Sequence, residues 1–192
     1  MTPRPPDPAD LELVRRQLGR EPHPFCRVVA RCPWGAPAVV ENLPYGPDGT
    51  PFPTLFWATC PALVAAVGRL ESGGGVKRFE AAVVAEPGLA RSLAAETRYE
   101  HRRRRALVDL YGLRMADGGV SLSTGMGGVA PHRRSGRPSL KCLHVHAAHA
   151  LARPGYALGE RVLAEAAPLW GDRQCCTPGT PDGRAQPPGG DS

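Results

Sequence analysis

The amino-acid sequence predicts an α+β protein in which a small N-terminal antiparallel sheet of about three strands packs with four to six helices. Short runs of β-branched and aromatic residues lie within the first 60 residues, and longer segments with helical apolar spacing follow. Gly (23) and Pro (22) make up nearly a quarter of the 192 residues, which excludes an end-to-end coiled coil or a plain helix bundle. Strands followed by helices are the order typical of the α+β class.

Local signals define the elements at the N-terminus. Asp7, followed by a proline, predicts a helix start, and Gly19 predicts its end. The segments 25–31 and 38–43 have the composition of strands. The connection 32–37 (CPWGAP) is rich in turn residues, so the two strands are expected to form a hairpin.

A third strand and several helices follow the hairpin. The segment 54–59 (TLFWAT) predicts the third strand, which we expect to be the most buried of the three. Helices are expected over the segments 61–70, 76–85, 87–115, 139–153 and 159–170. The Gly-rich stretch 116–138 between the third and fourth of these helices is predicted to be a loop, and loops of this length are uncommon unless they are functional or mobile.

The composition of the two ends suggests one folded domain with loose termini. We expect a Pro-rich disordered arm at residues 1–9, a single α+β domain at 10–171, and a disordered Pro/Gly-rich tail at 172–192. The N-terminal segment lacks the apolar core of a signal peptide, and no apolar run reaches the length of a membrane span. We therefore expect a cytoplasmic protein without a membrane partner.

Basic residues are concentrated in one stretch of a chain whose net charge is +6. The segment 98–141 contains ten basic and three acidic residues, which favours either a polyanion partner such as RNA or simply a solvated basic face. Four consecutive arginines at 102–105 cannot all face one flat surface of a helix, so at least one must point toward the protein. Aromatic residues are only 6% and none alternates with the arginines, so a nucleic acid is not the favoured partner.

The loop 121–129 has the composition of an anion-binding loop. Glycines allow backbone N–H groups to converge on a phosphate or carboxylate, and Gly127 and Gly128 are the candidates here. Arg133 and Arg134 lie just beyond and complete the predicted anion site. A flexible linker is the alternative, because the stretch lacks the Gly-Lys-Ser/Thr of a P-loop.

The segment 141–149 (KCLHVHAAH) carries one cysteine and three histidines on a predicted helix. Cys142, His146 and His149 share one helix face, and His144 would join Cys142 only if the helix begins after the cysteine. Thiolate and imidazole together suit Zn²⁺, which usually takes four such ligands. The alternative is a satisfied histidine cluster with the cysteine buried in the core.

Two further cysteines are candidates for the missing ligand. Cys32 lies in the predicted turn, and Cys60 precedes a proline at the predicted start of a helix, where backbone amides favour the thiolate. Cys60 could also act as a nucleophile with His101 or His144 as its base, which defines a cysteine-dependent enzyme as a further alternative. The sequence identifies no catalytic residue and leaves open whether the protein is an enzyme.

Three stretches together resemble a known bacterial family. They are 31–40 (RCPWGAPAVV), 48–61 (DGTPFPTLFWATCP, with Arg69-Leu70-Glu71 after it) and 141–144 (KCLH, with HALA after it). In this order they are similar to the mainly actinobacterial family catalogued as domain of unknown function 501. That family carries no established activity.

The resemblance implies a more specific set of metal ligands. The family pattern has a cysteine at the position of Cys32, a cysteine or histidine at that of Cys60, the Cys-Leu-His of Cys142 and His144, and a histidine at that of His149. It therefore implies a zinc site in which Cys32, Cys60, Cys142 and either His144 or His149 converge. Four protein ligands would make the site structural, and three with a water would make it catalytic.

Overall fold

The computed structural model describes residues 6–124, 132–134 and 137–170. These residues form seven helices, a three-stranded sheet and a two-stranded sheet, and all strand pairs are antiparallel. In chain order the elements are α1 (Pro8–Leu18), β1 (Phe25–Arg31), β2 (Pro37–Asn42), β3 (Phe56–Ala58), α2 (Pro61–Ser72), α3 (Gly75–Ala85), α4 (Pro87–Tyr111), α5 (Val120–Thr124), β4 (His132–Arg134), β5 (Arg137–Ser139), α6 (Leu143–Ala152) and α7 (Ala157–Ala166). The protein therefore has the predicted α+β class, with the three-stranded sheet early in the chain after α1, and the described residues form seven helices where four to six were predicted.

The capping residues read from the sequence bound helix α1. The Asp7 carboxylate accepts a hydrogen bond from the Ala9 backbone N–H at 2.8 Å. At the other end Gly19 adopts the left-handed conformation (φ 65°), and its N–H donates to the Arg16 carbonyl. The predicted hairpin also forms, because β1 pairs antiparallel with β2.

The central strand of the sheet is β2, with β1 and β3 on either side. All six residues of β2 are buried, whereas in β3 Phe56 and Ala58 are buried and Trp57 is half-buried. The expectation that the third strand is the most buried is therefore wrong. The central strand is covered because it has a neighbour on each edge, while β3 forms an edge and leaves its middle side chain partly accessible.

Helix α6 lies at the centre of the helical layer. It packs against β3 on one side and against α7 and α2 on the others. Its contact with α7 is close at Gly159, where an added Cβ would lie 2.3 Å from the His146 carbonyl oxygen. A side chain at this position would force the two helices apart, so the glycine permits their packing.

The four arginines of α4 are divided between the interior and the surface. Arg104 is buried, and its guanidinium donates a hydrogen bond to the Phe52 carbonyl at 2.9 Å. Arg103 pairs at 2.6 Å with the fully buried carboxylate of Glu41. Arg102 and Arg105 are exposed. The prediction that at least one of the four points inward is confirmed.

Several predicted boundaries differ from the structure: β3 is Phe56–Ala58 instead of 54–59, α7 is Ala157–Ala166 instead of 159–170, and three larger differences concern α4, the loop 116–138 and α6. Helix α4 ends at Tyr111 because Gly112 takes a left-handed conformation, so the predicted extension to residue 115 is wrong. The predicted loop 116–138 contains α5 and β4, and it leads into β5. The helix predicted from residue 139 begins only at Leu143, since β5 occupies the residues up to 139.

The predicted disordered segments lie mostly outside the described residues. Residues 1–5 of the predicted arm and the whole of the tail 172–192 are not described, and α1 begins at Pro8, inside the predicted arm. Across the described part of the chain, no helix combines the length and apolar character needed to cross a membrane.

Candidate metal centre

The candidate metal centre forms where α6 begins. Cys142 is the N-cap residue and has an extended backbone (φ −160°, ψ 161°), so the helix starts one residue after it. This is the condition under which the sequence allows His144 to share an ion with Cys142. The start of the helix thus selects His144 as the partner of the cysteine, in place of the i+4 and i+7 histidines on a continuous helix.

Glu71 reaches this point from the last turn of α2. Its Oε1 accepts a hydrogen bond from the Leu143 backbone N–H, an otherwise unsatisfied donor at the start of α6. The same oxygen lies 3.1 Å from Nδ1 of His144. Ligand atoms of Glu71, Cys142 and His144 all lie within 4.8 Å of one another, and no other such group of three occurs among the described residues.

His144 is held by a contact on each ring nitrogen. Nε2 lies 3.1 Å from the Val64 carbonyl oxygen, so a neutral ring with its proton on Nε2 donates to that carbonyl. Nδ1 faces the Glu71 carboxylate, which is also an acceptor, so without a metal Nδ1 donates a hydrogen bond to Oε1, and a metal ion would take the place of that proton. A backbone carbonyl that orients the ring in this way is the usual support of a metal-binding histidine.

The neighbours of His144 favour a positive charge on its ring. The hydrogen bond with Cys142, the attraction of the Glu71 carboxylate and the bond to Val64 raise the pKa of His144 to about 9, and burial opposes them. The surroundings of His144 therefore stabilise a positive charge, which either a proton or a metal cation can supply.

A pocket of about 200 Å³ lies beside this group. Cys142 and His144 form part of its wall, and most of the remaining wall consists of apolar side chains. The lining residues are Thr54, Phe56, Trp57, Ala58, Val64, Cys142, His144 and Val145. The three candidate ligands therefore do not lie in a closed core, because two of them face a cavity.

The other two histidines of α6 lie in the core. His146 is buried, with Nδ1 2.7 Å from the Tyr156 hydroxyl. His149 is fully buried, and its Nδ1 lies 2.9 Å from Oε1 of Glu96. Its Nε2 has no hydrogen-bond partner within the described structure, and its ring meets Phe56 edge-on at 4.7 Å. His149 therefore contacts a different carboxylate from His144.

Cys32 and Cys60 are both buried. Cys60 is the N-cap of α2, as the sequence predicted, and its Sγ accepts a hydrogen bond from Nε1 of Trp170 at 3.4 Å. The Cys32 backbone N–H donates to the Ala36 carbonyl in the turn between β1 and β2. The group of three contains Cys142 and His144 of the predicted ligands but not Cys32, Cys60 or His149, whose part in a metal site stays a prediction.

Sequence reasoning missed Glu71 as a ligand candidate, although Glu71 stands in one of the stretches that carry the family resemblance. The sequence nevertheless contains a signal that points to Glu71. An acidic side chain in the last turn of a helix lies against the negative end of the helix dipole, where basic residues are usually preferred. The Gly-Gly-Gly that follows at 73–75 marks this turn as the end of the helix.

The predicted anion site is only partly described. Arg133 and Arg134 lie in β4, which pairs with β5, whereas Gly127 and Gly128 lie outside the described residues. The anion site therefore stays a prediction.

The fold and the site define a small α+β protein that carries a Glu/Cys/His group beside an apolar pocket. Residues 28–164 match the model of the family described as protein of unknown function (DUF501). The chain belongs to this family, as the resemblance indicated. No curated protein and no solved structure matches the chain.

Proposed function

We propose that the protein binds one zinc ion through the Glu71 carboxylate, the Cys142 thiolate and an imidazole nitrogen of His144. The observation that supports this most directly is the convergence of three different ligand types within 4.8 Å. Sulfur, nitrogen and oxygen ligands together suit Zn²⁺ better than Mg²⁺ or Ca²⁺, which prefer oxygen ligands alone. The Val64 carbonyl supports the assignment because it orients the His144 ring.

We further propose that this site is of the open type. Three protein ligands leave a tetrahedral zinc ion one position for water or another ligand, which is the arrangement of catalytic zinc. Such an ion lowers the pKa of a bound water and polarises a carbonyl oxygen. The pocket lined by Cys142 and His144 supports an open site, because a ligand can approach the group from that side.

A cysteine-dependent enzyme is the closest rival, since Cys142 and His144 are neighbours. A catalytic triad places the thiol on one ring nitrogen of the histidine and the orienting carboxylate on the other. Here Glu71 lies at Nδ1 and the Val64 carbonyl lies at Nε2, so Cys142, which also hydrogen-bonds His144, shares a ring nitrogen with one of them, unlike the thiol of a triad. Cys60, the nucleophile considered from the sequence, is fully buried. Both observations favour a metal site.

We expect the protein to act in the cytoplasm. Cys26 and Cys142 are free thiols in the structure, which agrees with a reducing compartment. A thiolate ligand for zinc also requires that Cys142 stay reduced.

Zinc content tests the proposal. The full chain, purified without chelator, should contain about one zinc ion per molecule, as a single site implies. The variants Glu71→Gln, Cys142→Ser and His144→Gln should each lose zinc in elemental analysis and bind it at least about tenfold more weakly when it is added back.

Matched substitutions elsewhere in the chain provide the controls. Cys26→Ser changes a thiol outside the group of three, His101→Gln a histidine on α4, and Glu165→Gln a carboxylate on α7, and all three should keep zinc. Absence of zinc from the wild-type chain with its thiols reduced would contradict the proposal. Equal zinc content in all six variants would show that the ion is bound at another place.

A further inference from the structure

We propose that the pocket beside the metal centre binds the apolar group of a small acyl compound, whose carbonyl or carboxylate oxygen reaches the open position on the zinc ion. This inference rests on the proposed function and adds to it the class of ligand. It would make the protein a receptor or enzyme for carboxylic acids, or their derivatives, that carry a phenyl or branched aliphatic group.

The wall of the pocket determines both parts of this ligand. Cys142 and His144 contribute the polar side, where the proposed metal lies. The strand β3 contributes apolar wall through Phe56, Trp57 and Ala58. The polar and apolar parts of the wall belong to one cavity, so a single molecule can contact both. A molecule with an oxygen-bearing end and an apolar end matches this division.

The size of the pocket sets the size of the apolar group. An engineered apolar cavity of roughly 150 Å³ in another protein holds one benzene molecule. The pocket here has a volume of about 200 Å³, so a phenyl group fits with room for one or two linking atoms. A long fatty acyl chain or a nucleotide is too large to be enclosed.

The chemistry of the wall excludes a highly charged ligand. No arginine or lysine is among the described residues that line the pocket, and its polar residues are Thr54, Cys142 and His144. A phosphate or sugar phosphate would lose its hydration there without gaining an ion pair apart from the metal. An apolar group, by contrast, gains free energy from leaving water.

Val64 offers a way to fill the pocket without disturbing the core. Val64 is one of the residues that line the pocket, and it is 37% exposed, so a larger side chain can be accommodated at the mouth. The contact of residue 64 with His144 is made by the backbone carbonyl and survives a change of side chain. Val84 on α3 is 64% exposed and does not line the pocket, which makes Val84→Phe a matched control for Val64→Phe.

The experiment compares two hydroxamates, which bind zinc through the same head group. Acetohydroxamate and phenylacetohydroxamate are titrated into the zinc-loaded full chain in a calorimeter. The phenyl compound should bind about tenfold more tightly or better, because only it has a large apolar group to bury. Val64→Phe should remove this advantage, so that the two compounds bind with similar affinity, and Val84→Phe should behave as the wild type.

The zinc content of the same samples separates the two proposals. One zinc ion per chain with equal affinities for both hydroxamates would overturn the pocket assignment and leave the zinc site intact. A phenyl advantage that persists in Val64→Phe would also overturn it, since the apolar group would then lie elsewhere. A chain without zinc would overturn both.

Discussion

His144 in the first turn of α6 is half-buried, and its pKa is raised to about 9, whereas His146, two residues later, is buried, and its pKa is lowered to about 3. The first has a thiol and a carboxylate as neighbours. The second has the Tyr156 hydroxyl, and burial dominates its pKa shift, with a smaller contribution from His149. One short helix thus holds one histidine whose surroundings favour a positive charge and another that burial keeps neutral.

The difference shows that the residue type alone does not define a metal ligand. In the sequence, continuous helical spacing favours His146 and His149 over His144 as partners of Cys142. In the structure, the start of α6 directs His144 to the surface group with Glu71, and the continuing helix directs His149 into the core with Glu96. The two carboxylates are therefore predicted to have separate roles, one in metal binding and one in stability.

Removal of zinc should produce the largest change in stability. A ligand present at about a thousand times its Kd stabilises a protein by about 4 kcal/mol, which corresponds to a shift in Tm on the order of 10 °C for a domain of this size. Thermal unfolding followed by circular dichroism should show this shift between zinc-loaded and chelator-treated protein. Cys142→Ser should unfold at the lower temperature in both conditions.

Cys26→Ser is the control for that measurement, because Cys26 is a buried free thiol that hydrogen-bonds Glu41 and lies outside the group of three. It should keep the zinc-dependent shift. A Cys142→Ser variant with wild-type zinc content and wild-type Tm would show that the cysteine has no part in the site.

The same substitution at the two carboxylates should have opposite consequences. Glu96→Ala removes the partner of His149 and Arg153 from the core, and loss of one member of a buried charged group costs about 3 kcal/mol. Its zinc content should be unchanged. Glu71→Ala should lose zinc, and in chelator-treated protein it should cost less than Glu96→Ala, because Glu71 is more exposed.

Urea unfolding at saturating chelator measures the two costs, and elemental analysis measures the zinc. If Glu96→Ala lost zinc and Glu71→Ala retained it, the division of α6 into a binding end and a structural end would be wrong.

His146 should make stability depend on pH in the acidic range. Its folded-state pKa is lowered to about 3 from an ordinary value of 6.5, so between these values the unfolded chain binds one proton more than the folded chain. Stability therefore rises with pH in this window, by up to about 1.4 kcal/mol per pH unit from this group. Urea unfolding at about pH 5 and pH 6.5 should show a slope that is smaller in His146→Gln than in the wild type.

His144 has the opposite linkage in the absence of metal. Its folded-state pKa is raised, so its contribution to stability is fully present below about pH 6.5 and is lost as the pH rises through about 9. Of the two histidines, only His146 therefore contributes to the pH dependence of stability in the acidic range when the protein is treated with chelator. An equal slope in wild type and His146→Gln would show that His146 is not kept neutral by burial.

The smallest effect is expected from the basic residues. Arg103 and Arg104 of α4 are engaged within the protein, which leaves Arg102 and Arg105 on the surface. We expect weak binding of labelled RNA or polyphosphate that disappears near physiological salt, because a few phosphate contacts depend steeply on salt. A titration at two salt concentrations measures it. Tight binding at the higher salt would favour the polyanion-binding alternative.

Local signals account for the parts of the fold that the sequence predicted well. The cap of α1 depends on Asp7 and Gly19, and the β1–β2 hairpin depends on turn residues between two short strands. Both are decided by residues close together in the chain. The start of α6 is different, because it depends on Glu71, which lies 72 residues earlier and caps the Leu143 N–H. Such a contact leaves no periodic pattern in the sequence.

The candidate site, too, was predictable only where residues close together in the chain determine it. The sequence shows the cysteine and histidines of 141–149 as a cluster. Helical spacing also indicates that Cys142 and His144 meet only if the helix begins after the cysteine. Which histidine faces the cysteine depends on one helix boundary, and the third member of the group comes from another helix. Both are results of tertiary packing.

The hydrogen bond between Leu143 and Glu71 also bears on how fast and how tightly a cation is captured. Because the start of α6 already fixes the Glu71 carboxylate, that side chain does not have to lose its rotational freedom when an ion arrives. The entropy of immobilising a free glutamate, up to about 2 kcal/mol, has been lost during folding. Glu71 is thus preorganised for capture, and its hydrogen bond makes the backbone amide of Leu143 a natural spectroscopic reporter of occupancy.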